Sequence, residues 1–486
     1  MNSKNWFSII LGPLVFTAMY LIGGPADMPA EAWMVLACTI WIATWWITEA
    51  IPIPITSLLP LVLFPLSGAL DLSETAASFG HKYIFLYVGG FMLAIAIEKW
   101  NLHRRMALGI IQMMGNKASN IVLGFMAATA FLSMWISNTA TAVMMLPIGM
   151  AVAAHFSEQG GHPKFGKALM LSIAYSASIG GMATLIGTPP NLVFAGVVKE
   201  LYEYEISFLQ WFMFGFPLAV VLLLICWKYL TGTAFDLKGQ TLPGGQQEIK
   251  KFRDELGPMR YEEKIVMGVF LATAIAWITR TFLITRYVNP NIDDTIIAML
   301  GALALFIIPS SNPKKPLITW DDAVKMPWGV LFLFGGGMAL AQGFTDTGLA
   351  DWLGAQLTLL DGMSLLIILL LLICSVNFLT EVTSNLATTA MLLPVLAPMA
   401  LAIDVHPFVL MVSATTAASC AFMLPVATPP NAVVFGSGYL QIKDMVKSGL
   451  YLNLMSILLI TLFVYLLLPL LWNIDGNVFP TALLPN

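Results

Sequence analysis

Two short polar clusters interrupt an otherwise apolar chain, Ser137-Asn138-Thr139 and Ser384-Asn385-Leu386. Their surroundings repeat as well: Ser137 to Pro147 reads SNTATAVMMLP, and Ser384 to Pro394 reads SNLATTAMLLP. Ser133 and Thr380 precede the two serines by the same spacing. Downstream lie Gly187-Thr188-Pro189-Pro190-Asn191 and Ala427-Thr428-Pro429-Pro430-Asn431. Proline removes a backbone donor and disfavours helix in the residue before it, so both Pro-Pro sites should be unwound, with free carbonyls near Gly187 and Ala427. Hydroxyl, side-chain amide and carbonyl oxygens suit a hard cation. Because they are neutral, they suit a monovalent cation better than Ca²⁺, which favours several carboxylates. The same loops can hold an anion through Asn amides, Ser/Thr hydroxyls and helix N-termini. No Lys, Arg or His lies in either tip or either break. A multiply charged anion there would need bound cations as its counter-charge, which favours cation–anion symport over anion exchange.

The elements that must position these residues are membrane helices. Of 486 residues 58% are hydrophobic and only 10% charged, with mean hydropathy +0.82; soluble chains carry about 25% charged residues. Phe208–Trp227 and Tyr451–Leu471 reach the roughly 20 apolar residues that cross a bilayer. Phe7–Ile22, Trp33–Ile47 and Ile265–Ile278 are shorter cores whose flanks can complete a span. The fold class is therefore an all-α polytopic membrane protein, and the N-terminal apolar run reads as its first span. A net charge of −4 gives no ground for a nucleic-acid partner. Cys38, Cys226, Cys374 and Cys420 sit in apolar runs and read as packing residues. There is no HExxH or GxSxG motif, and the histidines fall near expected surfaces, so a membrane hydrolase is disfavoured.

An internal duplication organises the chain. Val88-Gly89-Gly90-Phe91-Met92 recurs as Phe334-Gly335-Gly336-Gly337-Met338, and the Ser-Asn and Thr-Pro-Pro-Asn motifs follow in the same order at nearly one offset. The first repeat, 1–230, reads as scaffold spans 6–68, a glycine-containing span 83–115, a hairpin 120–155, a broken helix 169–198 and a last span 208–230. The second, 264–486, reads as scaffold spans 264–309, then 329–355, a hairpin 363–402, a broken helix 408–438 and a last span 446–473. A solvated connector, 231–263, joins them; within it Gly239–Gln247 is linker-like and Glu248–Lys264 could form a surface helix. The Ser-Asn segments read as re-entrant hairpins, whose irregular tips must face protein or a watery cavity.

A cytoplasmic N-terminus, about eleven crossings and two non-crossing hairpins put all but Lys82, Lys199, Arg280 and Arg286 of the 23 lysines and arginines inside. An odd number of crossings per half makes the two repeats inverted and leaves the C-terminus external. Inverted repeats with paired broken helices point to a secondary transporter whose site lies at the repeat interface. A channel is the competing reading. The glycine clusters read as close-packing points. Glu381 follows Thr380 just before the second tip and has either a structural hydrogen-bonding role or a proton or cation role; Glu49 ends the second span, within reach of the interface.

These tips and breaks, together with Phe91-Met92-Leu93-Ala94 and Trp100-Asn101-Leu102-His103-Arg104-Arg105, resemble the divalent anion/sodium symporter (DASS, INDY-type) family over nearly the whole chain. The resemblance implies a homodimer in the bacterial inner membrane, each subunit with a scaffold and an elevator-type transport domain. It implies sodium-coupled import of C4-dicarboxylates such as succinate, malate or fumarate, with citrate or sulfate in some members; the alternative is a sodium-independent dicarboxylate exchanger. Carried over by residue, one Na⁺ site is implied at Ser133, Ser137, Asn138 and Gly187, and a second at Thr380, Ser384, Asn385 and Ala427. The dicarboxylate is implied to touch Ser137, Asn138, Thr139, Thr188, Pro189, Ser384, Asn385, Thr428 and Pro429. No organic cofactor is implied. Leu386 departs from the pattern, which often has Thr there, and so bears on specificity.

Overall fold

The computed structural model describes residues 3–160, 162, 164–241, 245–356 and 362–483. Part of the linker-like stretch 239–247 therefore lies outside the described residues. Among the described residues the only β pairing is two isolated bridges, Lys117 with Thr241 and Pro309 with Pro316. Eight helical segments among them are long and apolar enough to cross a membrane, and several shorter apolar helices accompany them.

In the first half, α1 (Ser3–Ile22) packs on α2 (Ala30–Thr48), which stops where Glu49 turns left-handed at φ 47°. A short break at 57–59 then separates α3 (Ile53–Thr56) from α4 (Pro60–Ser67), which Pro60 opens. The short α5 (Leu72–Ser78) starts with a capping box from Asp71 and Glu74. The glycine-containing α6 (Lys82–Lys99) follows, then an amphipathic arm, α7 (Leu102–Gln112). Gly89 lets α6 lie against the second half, because an added Cβ would come 2.7 Å from Ala298. The hairpin is α8 (Ala118–Ser133) and α9 (Asn138–Glu158), and the broken helix is α10 (Phe165–Gly181) and α11 (Pro189–Tyr202). At about 1.5 Å per residue, the 16 residues of α8 span roughly 24 Å, short of a bilayer core of about 30 Å. The 21 residues of α9 reach roughly 31 Å and are among the candidate spans. The last element of the half, α12 (Phe208–Lys228), runs into a π-helical turn at 229–234.

The connector carries α13 (Gly245–Glu255), which packs on α7 and α9 rather than standing free. After α13, Arg105 of α7 ties down the end of the connector: its Nε and Nη2 donate to the Glu263 carboxylate at 2.9 and 3.1 Å, and Nη1 donates to the Gly257 carbonyl at 3.0 Å. Glu263 is 3% exposed, so Arg105→Ala would leave its buried carboxylate without a counter-charge, held only by the Arg260 amide at 2.7 Å. We expect a loss of roughly 2–4 kcal/mol, read as a lower melting temperature of the solubilised protein.

The second half repeats the order. It runs through α14 (Tyr261–Thr279), a π turn at 280–284, α15 (Thr285–Tyr287), α16 (Asp294–Ile307) and α17 (Trp320–Ala323). Within α17, burial opposes ionisation of Asp322. The Lys99 ammonium and the hydrogen bonds from Thr319 nevertheless hold its carboxyl down to about 2. The glycine-containing α18 (Trp328–Asp346) leads into α19 (Leu349–Gln356). The second hairpin is α20 (Leu365–Leu379) and α21 (Asn385–Ala402), and the second broken helix is α22 (Pro407–Ala418) and α23 (Pro429–Phe435). The chain closes with α24 (Ile442–Leu462), a π turn at 463–467, and α25 (Leu468–Trp472). The halves interlock crosswise, because α11 packs on α21 and α23 packs on α9. Each broken helix thus lies against the other half's hairpin, and this brings the four motifs together.

Candidate cation and anion site

Each tip is shaped by its own serine. Ser137 and Ser384 are N-caps of α9 and α21, and their hydroxyls accept from the amides of Ala140 at 3.2 Å and Ala387 at 3.5 Å. The caps start the helices at Asn138 and Asn385, whose side chains turn back toward the preceding arms. There the two halves build the same cluster. The Ser133 hydroxyl lies 2.6 Å from Asn138 Oδ1 and 2.7 Å from the Ala177 carbonyl oxygen. The Thr380 hydroxyl lies 2.7 Å from Asn385 Oδ1 and 3.0 Å from the Ala418 carbonyl oxygen. One hydroxyl proton can serve only one of two acceptors. Each cluster therefore presents more oxygens than protons, which is the arrangement a small cation satisfies. Ser133 and Thr380 are fully buried behind the tips. Gly187 joins the first cluster, since a Cβ on Gly181 would come 2.6 Å from Asn138 Oδ1 and 3.1 Å from the Gly187 carbonyl oxygen.

In front of both clusters lies one cavity of about 750 Å³. Ser137, Asn138, Thr139, Gly187, Thr188, Pro189, Ser384, Asn385, Ala427, Thr428 and Pro429 all line it. Every residue of the expected anion set is there, and so are all the expected cation ligands except the deeper Ser133 and Thr380. The N-termini of α9, α11 and α21 open into it, with Ser137, Thr188 and Ser384 as caps. Helix starts of this kind favour negative charge. No Lys, Arg or His is among the described residues lining it, and Glu49 is the one acid. Tyr87, Phe91, Trp135, Ile136 and Leu386 make the remaining wall apolar.

A family profile described as "Sodium:sulfate symporter transmembrane region" matches residues 3–474. The chain belongs to the sodium:sulfate symporter family. Relatives named "Sodium-dependent dicarboxylate transporter SdcS" are similar to it over almost their full length. That of Staphylococcus saprophyticus is 49% identical, covering 98% of this chain and 93% of the relative. That of Staphylococcus aureus strain USA300 is 50% identical, covering 98% and 94%. Among solved structures, MtrF of Neisseria gonorrhoeae shares the fold at a TM-score of 0.60 with 11% identity, covering 93% of this chain and 98% of that one. This symporter-family chain is thus an integral membrane transporter and not an enzyme.

The structure of this symporter also gives roles to residues that the motifs contained without explaining. Asn191 and Asn431, last in the two Thr-Pro-Pro-Asn motifs, are fully buried and staple the unwound segments. Asn191 Nδ2 donates to the Thr184 carbonyl at 2.8 Å; Asn431 Nδ2 donates to the Leu424 carbonyl at 3.0 Å and the Ala421 carbonyl at 3.2 Å. Some carbonyls expected to be free are therefore taken. The recurrence of both asparagines at the same place in the repeat was the available signal. The glycine clusters divide between two roles. Gly337 allows close approach to Ala390, while Gly90 borders the cavity. Glu381 is held in a hydrogen-bonded brace. Its carboxylate accepts from the amides of Phe422, Met423 and Leu424 and from Asn453 Nδ2.

Proposed function

We propose that this chain imports C4-dicarboxylates such as succinate, malate or fumarate together with sodium ions. One observation carries the reading: a single cavity lined by paired hydroxyls, amides and helix starts, without a basic side chain, set against two oxygen-rich clusters. A dianion in such a site needs mobile positive charge, and Na⁺ suits neutral oxygen ligands. In this reading Na⁺ binds at Ser133, Ser137, Asn138 and the Gly187 carbonyl, and again at Thr380, Ser384, Asn385 and the Ala427 carbonyl. The dicarboxylate lies between the tips, touching Thr139, Thr188, Pro189, Thr428 and Pro429 besides the shared serines and asparagines. The dicarboxylate named for the staphylococcal relatives supports this cargo.

The repeats are inverted in this reading, with the N-terminus cytoplasmic and the C-terminus external, which the distribution of lysine and arginine supports. Transport proceeds by alternating access, the two hairpins and two broken helices moving together against the scaffold spans as an elevator, in a homodimer of the bacterial plasma membrane. The crosswise packing of α11 on α21 and α23 on α9 supports their moving as one body.

The test is uptake of labelled succinate into proteoliposomes with and without an inward sodium gradient, with internal succinate varied and sulfate and citrate as competitors. Concentrative uptake that needs the gradient is expected. Uptake driven equally well by internal succinate without sodium would make the protein an exchanger. Displacement of succinate by sulfate alone would reassign the cargo.

A further inference from the structure

The two oxygen-rich clusters are alike in their ligands but not in what braces them. In the first half the brace is neutral: the Thr184 hydroxyl, on the unwound segment, donates to the Met134 carbonyl of the tip at 2.6 Å. In the second half Glu381 occupies the place of Met134, and the direction of the brace is reversed. Its Oε1 accepts from Phe422 N at 2.8 Å, Met423 N at 2.9 Å and Asn453 Nδ2 at 2.7 Å, and its Oε2 accepts from Leu424 N at 3.1 Å. All of these partners are N–H donors, which is the environment of an ionised carboxylate. Glu381 is 4% exposed, and no Lys, Arg or His among the described residues pairs with it. The amides stabilise the charge without cancelling it, and in a low-dielectric interior it acts on its surroundings more strongly than it would in water.

That charge adjoins Thr380 in sequence and holds the segment that ends at Ala427. Leu424, whose amide donates to Glu381, accepts in turn at its carbonyl from Ala427 N at 3.2 Å and Asn431 Nδ2 at 3.0 Å. We propose that Glu381 is a positioning residue that makes the two sodium sites unequal, so that the second-half site at Thr380, Ser384, Asn385 and Ala427 fills first. This rests on the reading above that both clusters bind sodium. The first ion compensates a charge already built into the fold. The second, at Ser133, Ser137, Asn138 and Gly187, has no such partner and is completed by the arriving dianion.

The test compares wild type, Glu381→Gln and the double variant Glu381→Gln/Asn453→Asp, which moves the carboxylate across its own 2.7 Å hydrogen bond. In proteoliposomes Glu381→Gln should raise the sodium concentration for half-maximal succinate uptake by about tenfold or more, equivalent to about 1.4 kcal/mol. Its KM for succinate at saturating sodium should stay within about twofold of wild type. The double variant should bring the sodium requirement back to within about threefold. A single variant with unchanged sodium dependence, or a double variant no better than the single, would overturn the proposal. Thr184→Val provides an independent arm if Glu381→Gln does not fold. Without substrate, it should keep the rise in melting temperature that low sodium produces in the wild type. Loss of that low-sodium rise in Thr184→Val would place the tighter site in the first half and overturn the order. A wild type indifferent to sodium would instead remove the underlying symport reading.

Discussion

Asn138→Ala and Asn385→Ala should each abolish sodium-driven succinate uptake, by about a hundredfold or more, while leaving a folded protein. Each asparagine stands where three roles meet. It opens a helix whose start faces the cavity, its Oδ1 contacts the buried hydroxyl of Ser133 or Thr380, and its residue lines the cavity in front. Truncation removes a cation ligand and an anion donor together, so sodium and cargo are both lost. The fold should survive because Ser137 and Ser384, not the asparagines, cap the two helices. Uptake assayed beside size-exclusion behaviour and melting temperature checks both parts. Undiminished uptake in either variant would refute that half of the site.

The second large effect is expected at two glycines outside every motif. Gly449 on α24 and Gly215 on α12 are where the last span of each half touches the unwound segment. A Cβ on Gly449 would come 2.2 Å from the Phe422 carbonyl oxygen, and one on Gly215 would come 2.6 Å from that of Met182. Both obstacles are backbone, Phe422 held at its amide by Glu381 and the Met182 carbonyl accepting from Trp211 Nε1, so neither can step aside as a flexible side chain would. Gly449→Val and Gly215→Val should cost about 3 kcal/mol or more and cut uptake at least tenfold. Gly268→Val on α14 faces open space and is the control, expected to change both little. Yields of monodisperse protein, with uptake per folded molecule, separate a folding loss from a transport loss.

Much of this was legible in the sequence because membrane chains carry a strong pattern. Apolar runs with few charges can only be helices in lipid, and Ser-Asn or Pro-Pro inside such a run marks a place where that rule is suspended for a reason. Duplication then supplied the control that a single chain ordinarily lacks: the same polar residues twice, in one order. The candidate oxygens around Asn138 and Asn385 were legible on that ground; the dicarboxylate contacts were implied by the family resemblance, and the rest of the cavity wall comes from the tertiary structure.

Residue types could not say what lies across from what. Glu381 was an acid with two open roles, because nothing in its neighbourhood along the chain names Phe422, Met423, Leu424 or Asn453 as its partners. Nothing along the chain marks Gly215 or Gly449, and their importance comes from the backbone they abut. Most of the connector's charges, Lys250, Lys251, Arg253, Asp254 and Glu255 among them, are exposed, but nothing along the chain pairs its last acid, Glu263, with Arg105. Chemistry and repetition are local properties and can be read in one dimension. Bracing depends on which segments are brought to within a hydrogen bond of each other, and that is decided only when the two halves interlock.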